Sequence, residues 1–427
     1  MTARTALILV ALALAIGAGS FASSAAQAAE AAAARPESVA AADPASADRY
    51  PVASAARVGG DDKQTRFVVD LSQKIDIAAF TLANPYRVVI DLPQVTFKLS
   101  PTAGEQARGL IKAFRYGLIM QGGSRIVIET KGPVRVDKAF TLDAADGMPA
   151  RLVIDLSATD RASFLRNIAL ENHPARAPAR TSAPAPKDDG DPRPMIVLDP
   201  GHGGIDNGTK GLDGTLEKDV VLAFAQSLRE RLEASGKYRV TMTRGDDTFI
   251  PLNERVRFAR AHNAALFISI HADYVPRKEG TAEGATVYTL SEHASDAEAA
   301  RLAEAENRAD VIAGVDLTAE PDDVANILVD LAQRETKTFS LQFARSVVSE
   351  MKNTARLHKH PLKSAGFVVL RAPDVPSVLV ELGYMSTRGD LKNLTSASWR
   401  ARTAAAVAHA VDNFFMRRLA GRGARAN

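Results

Sequence analysis

The sequence predicts an α/β domain, in which a sheet is covered by helices, preceded by a small all-β sandwich domain. A chain of 427 residues is too long for one ordinary domain. Residues 64–156 contain short β-branched runs separated by turn residues, whereas strand and helix patterns alternate beyond residue 195. Between these regions lies a segment rich in Pro, Ala and Arg, which cannot bury a core of its own and is expected to be a linker.

The composition excludes several classes of protein. The chain has no cysteine, which excludes disulfides, thiolate metal ligands and a lipid-modified cysteine anchor. The formal net charge is only +3, and the basic residues are spread along the chain instead of forming a patch interleaved with aromatic residues. We therefore expect no nucleic-acid partner.

The N-terminus has the pattern of a secretory signal peptide over residues 1–28. Arg4 precedes an apolar run at residues 6–16, and Ala26-Gln27-Ala28 resembles a peptidase cleavage site. This run is shorter than a comfortable membrane span. We therefore expect an exported protein that has no stable membrane anchor after cleavage. Residues 29–56, rich in Ala, Pro, Ser and Asp, are expected to form a flexible leader.

Residues 57–157 are predicted to form the β-sandwich. Four runs in this region share β-branched residues with an acidic residue at or near the end. They are Phe67–Leu71, Val88–Leu92, Ile126–Glu129 and Leu152–Leu156. The region contains no histidine and no cluster of residues suited to catalysis, so we interpret it as a binding module. A linker is predicted over residues 158–194.

Residues 195–420 are predicted to form the α/β domain. The predicted strands are Met195–Leu198, Arg239–Met242, Leu266–Ile270, Gly284–Leu290, Gly366–Leu370 and Ser377–Val380. The predicted helices are Lys218–Ala234, Asn253–His262 and Ser398–Leu419. Residues 291–336 interrupt this alternation with a helical pattern, and we interpret them as an insertion before the next strand of the sheet.

Two histidines stand at the ends of predicted strands. His202 lies in the glycine-rich turn after Leu198, and His271 follows the apolar run that ends at Ile270. Glu217 stands where a helix is predicted to begin. Two imidazoles and one carboxylate form a zinc-binding set that leaves one coordination position open for water, although other divalent metals accept the same ligands. Each residue taken alone also has a structural explanation, since a helix dipole favours a glutamate in the first turn.

Three further carboxylates lie at similar boundaries. Glu381 follows the apolar run of residues 378–380, where an ionisable side chain is costly unless it meets a partner or water. It is our candidate general base, and the alternative is a surface glutamate at a strand end. Asp199 and Asp206 are expected either to accept a hydrogen bond from a histidine or to stabilise the loop.

Five motifs, in this order, resemble those of the zinc-dependent N-acetylmuramoyl-L-alanine amidases. They are LDPGHGGIDNG, TLEKDVVL, the pair Thr243-Arg244 with Leu252 and Arg255, FISIHAD, and VLVELGYMS. The resemblance covers roughly residues 195–418. One departure is Thr387, which stands where the family pattern often has asparagine after Ser386. The arginines could bind stem-peptide carboxylates or form structural ion pairs.

The resemblance implies a function and roles for residues. It implies that His202, Glu217 and His271 bind zinc and that Glu381 is the catalytic glutamate. The implied reaction cleaves the amide between the lactyl group of N-acetylmuramic acid and the L-alanine of the peptidoglycan stem peptide. The β-rich region resembles the targeting domain of the division amidases, which implies binding to peptidoglycan, a periplasmic location and action at the division septum.

The insertion is expected to regulate this site. In division amidases that this chain resembles, a helical insertion covers the active site until an activator protein displaces it. A carboxylate from the insertion could fill the open zinc position, and Glu292, just beyond a predicted strand, is our preferred candidate, with the neighbouring His293 as the second choice. The alternative is a solvated helix cap.

Two other functions use the same residue pattern. A zinc endopeptidase or carboxypeptidase that acts within the stem peptide would need the same metal chemistry. A non-catalytic wall-binding protein is the third interpretation, but the presence of all four candidate site residues argues against it. Products that begin with L-alanine would distinguish the amidase from the peptidases.

Overall fold

The computed structural model describes residues 50–170, apart from 101, 106 and 121, and residues 190–275, 282–314 and 327–423. The predicted signal peptide, the leader up to residue 49 and residues 171–189 of the predicted linker lie outside these ranges. Within them, no helix has both the length and the apolar character needed to cross a membrane.

The first domain is a sandwich of two antiparallel β-sheets. The strands are β1 Val52–Gly60, β2 Gln64–Leu71, β3 Ala78–Leu82, β4 Arg87–Pro93, β5 Thr96–Phe97, β6 Ile111–Met120, β7 Gly123–Thr130, β8 Val134–Leu142 and β9 Ala150–Ala158. One sheet has the order β5-β1-β2-β9-β8 and the other β3-β4-β7-β6; only the short β5 pairs in parallel. Phe67 and Ile154 from the first sheet meet Ile90 and Ile128 from the second in one buried core. The predicted all-β sandwich is confirmed.

Two predicted boundaries of this domain were wrong. The leader was expected to extend to residue 56, but β1 begins at Val52. Apart from Val52 and Val58, its residues are mostly alanine and glycine, which are not typical of a strand, and pairing with β2 holds it in the sheet. The linker was expected from residue 158, but α1 covers Arg161–Leu170. Phe164 anchors this helix by packing edge-on against Tyr86, with ring centroids 5.0 Å apart.

The second domain contains a six-stranded sheet with helices on both faces. Its strands are β10 Met195–Pro200, β11 Arg239–Met242, β12 Leu266–His271, β13 Ala285–Leu290, β14 Leu357–Ala365 and β15 Ser377–Glu381. Its helices are α2 Glu217–Ala234, α3 Leu252–Ala261, α4 Ala297–Glu306, α5 Ala309–Ile312, α6 Ile327–Met351, α7 Arg388–Leu394 and α8 Ala397–Gly423. The strand order is β11-β10-β12-β15-β13-β14, and neighbouring strands are parallel except for the antiparallel pair β13–β15. The predicted α/β fold is confirmed.

Successive residues of the central strands enter cores on opposite faces of the sheet. Ile196 and Ile268 pack on one face with residues of α2, α6 and α8. Val197 and Phe267 pack on the other face with residues of α3 and α4. Because both faces are covered, these strands are continuous apolar runs, and their carboxyl ends meet at one edge of the sheet.

The strand predicted at Gly366–Leu370 was wrong. This segment contains a short 3₁₀ helix, Val368–Leu370, whereas β14 precedes it. The sequence of β14 contains His358, Lys359, His360 and Pro361 and is too polar to resemble a buried strand. It lies at an edge of the sheet, where proline and charged residues are tolerated.

The two domains contact each other through the four-stranded sheet of the sandwich. Val89 and Val127 from this sheet form a small apolar cluster with Ile205, Phe249 and Ala313 of the α/β domain. Gly117 lies so close to this domain that an added Cβ would sit 2.5 Å from the backbone nitrogen of Ile205. The sandwich therefore touches both the loop that carries His202 and the end of α5 in the insertion.

Candidate metal centre and active site

The loop after β10 positions His202. The residue has a φ of 57°, flanked by glycines that allow the chain to turn sharply. An added Cβ at Gly201 would lie 2.4 Å from the ring of His271, so only glycine allows the two segments to approach this closely. The turn therefore aims His202 toward the edge of the sheet.

His271 and Glu381 end neighbouring parallel strands. They are direct partners in the β12–β15 register, so their side chains lie beside each other on the same face. Both residues are buried. The backbone N–H of Asp273 donates to Oε2 of Glu381 over 3.1 Å, while Oε1 of Glu381 is buried and has no hydrogen-bond partner among the described residues.

Glu217 begins α2 and points into the same cluster. Its Oε2 accepts a hydrogen bond from the N–H of Thr209 and its Oε1 accepts one from the N–H of Ala272, both over 2.9 Å. Oε1 also lies 3.1 Å from Nε2 of His202 and 3.4 Å from Nδ1 of His271. Three of the residues singled out from sequence are thus brought together, with Glu381 on the adjoining strand.

A fourth carboxylate in the cluster comes from the insertion. Oε2 of Glu306, the last residue of α4, lies 3.1 Å from Nδ1 of His271 and 3.6 Å from Nε2 of His202. One ligand atom from each of His202, Glu217, His271 and Glu306 falls within 4.8 Å of all the others. The cluster therefore has the donors of a four-ligand metal site, one of them supplied by an inserted helix.

The geometry does not support the hypothesis for Glu292. This residue is exposed in the turn after β13, and the place expected for its carboxylate is taken by Glu306.

Sequence reasoning missed Glu306, although the helical spacing of the apolar residues before it could have identified it. Ala299, Leu302 and Ala303 form the buried face of α4, and Glu306 continues it at helical spacing. A carboxylate on the apolar face of a helix needs a partner, and here two histidines provide it.

The donor atoms of this cluster suit a divalent cation. Nε2 of His202 and Nδ1 of His271 are buried without a hydrogen-bond partner in the described part of the chain, yet each points at carboxylate oxygens. Two imidazoles and carboxylates at a closed, buried position match the ligand preference of zinc. The buried carboxylates of Glu217 and Glu306 also favour a bound cation, because like charges buried together require a compensating positive charge.

The pKa values of several side chains in the cluster are shifted by this excess of negative charge. Burial alone would lower the pKa of His271, but Glu306 and Glu217 outweigh it and raise this pKa to about 10. Burial raises the pKa of Asp273 to about 7, with Glu306 and Glu217 adding to the effect. Burial also raises the pKa of Glu381 well above its usual value, an effect opposed by His271 and reinforced by Asp273.

Asp206 orients the imidazole of His202. Its Oδ2 lies 2.8 Å from Nδ1 of His202, which leaves Nε2 directed at the cluster. An acceptor on one ring nitrogen fixes the tautomer and orientation of a ligating histidine. Of the two roles considered for Asp206, histidine orientation therefore agrees with the geometry.

Asp199 and the two arginines of the motif hold the loop in place. Asp199 accepts hydrogen bonds from Thr243, Ser269 and Arg255. Arg255 donates to the carbonyls of Pro200 and His202, both over 2.8 Å, and Arg244 donates to the carbonyls of Pro200 and Gly201. These buried side chains are committed to structural contacts.

Comparison with known families agrees with this geometry. Residues 196–413 match the family model described as N-acetylmuramoyl-L-alanine amidase, and residues 55–156 match the AMIN domain. The chain is 35% identical over 376 residues to the N-acetylmuramoyl-L-alanine amidase AmiC of Escherichia coli strain CFT073, an alignment that covers 84% of this chain and 89% of the relative. It is 34% identical over 390 residues to AmiC of Neisseria meningitidis strain MC58, covering 88% of this chain and 92% of that relative.

Among solved structures, AmiC2 of Nostoc punctiforme aligns with 52% of this chain and 97% of its own, at 26% identity and a TM-score of 0.37. The sequence matches cover most of the chain, and the two family models together span both described domains. Both findings agree with the family resemblance of the motifs. The chain belongs to the N-acetylmuramoyl-L-alanine amidases, hydrolases that degrade cell-wall peptidoglycan, and carries an AMIN domain ahead of its amidase domain.

Proposed function

We propose that this amidase uses one zinc ion, held by His202, Glu217 and His271, to hydrolyse the bond between the lactyl group of N-acetylmuramic acid and L-alanine. The observation that carries the proposal is the convergence of Nε2 of His202, Nδ1 of His271 and Oε1 of Glu217 beside Glu381. When bound, zinc would supply Lewis-acid activation of a water molecule and of the amide carbonyl.

In this proposal Glu381 moves the proton. Its Oε2 is fixed by the N–H of Asp273, which leaves Oε1 to accept the proton of the attacking water. The same oxygen then returns the proton to the alanine nitrogen as the carbon–nitrogen bond breaks. The buried position of Glu381 excludes bulk water, which strengthens its interactions with charges at the site.

We further propose that the chain rests in a closed, autoinhibited state. Glu306 lies where a fourth ligand would lie, so its carboxylate would exclude the catalytic water from the metal. Displacement of α4 would reopen that position. The proposal thus keeps the inhibitory role expected of the insertion but assigns it to Glu306.

The AMIN domain supports the closed state through contacts with the C-terminal end of α5, in the middle of the insertion. Nη1 of Arg125 donates to the carbonyl oxygens of Ala313 and Gly314, and Arg87 donates to that of Val311. Asp91 orients Arg125 through a bidentate ion pair. An activator protein that acts on the insertion would have to break these contacts as well as those of Glu306.

We propose that this reaction takes place in the periplasm, at the division septum, after cleavage of a signal peptide at residues 1–28. The N-terminal pattern and the AMIN domain support this location. In the proposal the AMIN domain binds peptidoglycan and brings the amidase domain to the septal wall.

The test is mass spectrometry of the soluble products that the purified mature chain releases from sacculi. We expect free stem peptides whose amino-terminal residue is L-alanine, and a chelator should abolish their release until zinc is restored. The activator-free yield is expected to be low because the site is closed, so a variant without residues 291–336 is included. Fragments cut within the stem peptide would instead support an endopeptidase or carboxypeptidase. A folded, zinc-loaded deletion that binds sacculi but releases nothing would favour the wall-binding interpretation.

A further inference from the structure

A buried lysine beside the active site has no role in the proposed mechanism. The side chain of Lys363, on β14, is only 2% exposed. Its Nζ lies 3.1 Å from Oε2 of Glu298 and 3.3 Å from Oδ2 of Asp296. A buried ammonium group is costly unless it is paired, and both of its partners belong to the start of α4 in the insertion.

Of these two partners, Glu298 makes the more extensive contacts with the amidase sheet. Asp296 also caps its own helix, because it accepts a hydrogen bond from the N–H of Ala299 over 2.8 Å. Glu298 instead turns its carboxylate toward the amidase sheet. There Oε1 accepts a hydrogen bond from the hydroxyl of Tyr384 over 3.1 Å, and Oε2 lies 3.8 Å from Nε2 of His358.

Lys363, Tyr384 and His358 thus surround a single carboxylate from three sides, and we call these three residues the carboxylate cradle. They belong to β14 and to the loop after β15, not to the insertion. An ammonium, a phenol and an imidazole are all capable of donating to a carboxylate oxygen. The cradle is therefore built by the amidase domain, while its present occupant comes from a displaceable helix.

The cradle lies on the same face of the sheet as Glu381. Thr286 is the partner of Glu381 in the β13–β15 register, and Tyr288, two residues along β13, is the partner of Lys363. Paired residues, and residues two apart on a strand, share a face, so Lys363 is about 7 Å along β13 from the row of Glu381. Burial raises the pKa of Tyr384, and the negative charges of Glu381 and Glu298 raise it further, which agrees with a position near both carboxylates.

We propose that the carboxylate cradle binds a free carboxylate of the stem peptide, and that Glu298 mimics this carboxylate while α4 covers the site. The inference rests on the proposed function, since it assumes a stem-peptide substrate and a displaceable α4. Displacement of α4 would remove Glu298 and Asp296 together and leave Lys363 without a partner from this helix. The acidic residue that follows L-alanine in the stem peptide is the carboxylate nearest to the cleaved bond.

The first test is calorimetric binding to the full-length protein. The probes are the tripeptide L-alanyl-γ-D-glutamyl-L-lysine and the same peptide with its α-carboxylate converted to a carboxamide. We expect Glu298→Ala/Glu306→Ala, in which both carboxylates that hold α4 over the site are removed, to bind the carboxylate form about tenfold more tightly than the carboxamide, as one charge-assisted hydrogen bond allows. The parent chain should bind both weakly because Glu298 occupies the cradle. Addition of Lys363→Gln to this double variant should abolish the preference.

Two controls separate recognition from misfolding. Lys359→Gln removes the same charge from an exposed position on the same strand and should keep the preference in the Glu298→Ala/Glu306→Ala background. Thermal melting monitored by circular dichroism checks that each variant is folded, and the variant that also carries Lys363→Gln leaves no ammonium of Lys363 unpaired. Equal affinity of Glu298→Ala/Glu306→Ala for both peptides, or an unchanged preference after loss of Lys363, would overturn the proposal.

The second test uses hydrolysis in the Glu298→Ala/Glu306→Ala background. The substrates are disaccharide tripeptides that differ only in the same carboxylate or carboxamide. Addition of Lys363→Gln should raise KM for the carboxylate substrate about tenfold and leave kcat and the carboxamide substrate unaffected. If the protein releases no peptide that begins with L-alanine from either substrate, the proposed function fails. The binding experiment still tests whether the cradle recognises a carboxylate.

Discussion

The sheet edge and the insertion both bring glutamates to one cluster, but they hold these residues differently. Glu217 receives two backbone hydrogen bonds, and Glu381 is fixed by strand pairing and by the N–H of Asp273. Glu306 instead stands at the end of a ten-residue helix held by a small apolar face and by the contacts of Asp296 and Glu298 with Lys363. Under the proposed function, the carboxylates used in the reaction would belong to the sheet edge and the start of α2, whereas the blocking carboxylate would belong to an inserted helix.

The comparison predicts opposite effects for residues of the two regions. The largest loss of zinc and of amidase activity is expected from His271→Ala at the sheet edge. The cluster would lose a nitrogen donor and keep its excess of carboxylates. Zinc content, measured by atomic emission, should fall well below one ion per chain, and amidase activity should fall to the level of the buffer control. Full zinc content together with full activity would remove His271 from the metal site.

A smaller loss of amidase activity is expected from Glu381→Gln, because the amide keeps the shape of the carboxylate but cannot accept the proton. We expect the rate of stem-peptide release to fall by about 10²- to 10⁴-fold while zinc content stays unchanged. The measurement is the single-turnover rate on sacculi of the zinc-loaded protein in the Glu306→Ala background. A fully active variant would sink the role of Glu381 as the proton acceptor.

The smallest change in activity is expected from loss of the contact between the AMIN domain and the end of α5. Arg125→Ala removes two hydrogen bonds to backbone carbonyls, so α4 and α5 should open more often and basal activity should rise about 2- to 10-fold. Arg66→Ala is the matched control, since Arg66 forms a similar bidentate pair with Asp155 on the exposed side of the sandwich. A rise of equal size in both variants would show that the effect is not due to the insertion contact.

The sheet-edge part of the site was accessible from sequence. His202, His271 and Glu381 each follow a continuous apolar run, and a strand buried on both faces produces that run whatever its surroundings. Parallel strands place their carboxyl ends at one edge, so residues distant in sequence could be assigned to one site. Glu217 could be added because the start of its helix is marked by a change in periodicity.

The contribution of the insertion to the site could be predicted from sequence only in part. The helical character of the insertion was predicted, but which of its residues reaches the cluster of His202, Glu217 and His271 depends on how α4 packs, which periodicity alone does not specify. Glu292 was chosen for its closeness to β13, whereas the helix carries Glu306 to the cluster. The strand β14 was missed for a related reason, because at the edge of a sheet its sequence is polar and includes Pro361.

The most direct test of the closed state compares Glu306→Gln with Glu292→Gln in the zinc-loaded full-length chain, without activator, by mass spectrometry of the peptides released from sacculi. We expect Glu306→Gln to release about 10- to 100-fold more peptide that begins with L-alanine than the parent chain, since a charge-assisted contact at the cluster is lost. Glu292→Gln should match the parent because its side chain is exposed. Unchanged release by a folded, zinc-loaded Glu306→Gln variant would contradict the proposal that this carboxylate closes the site.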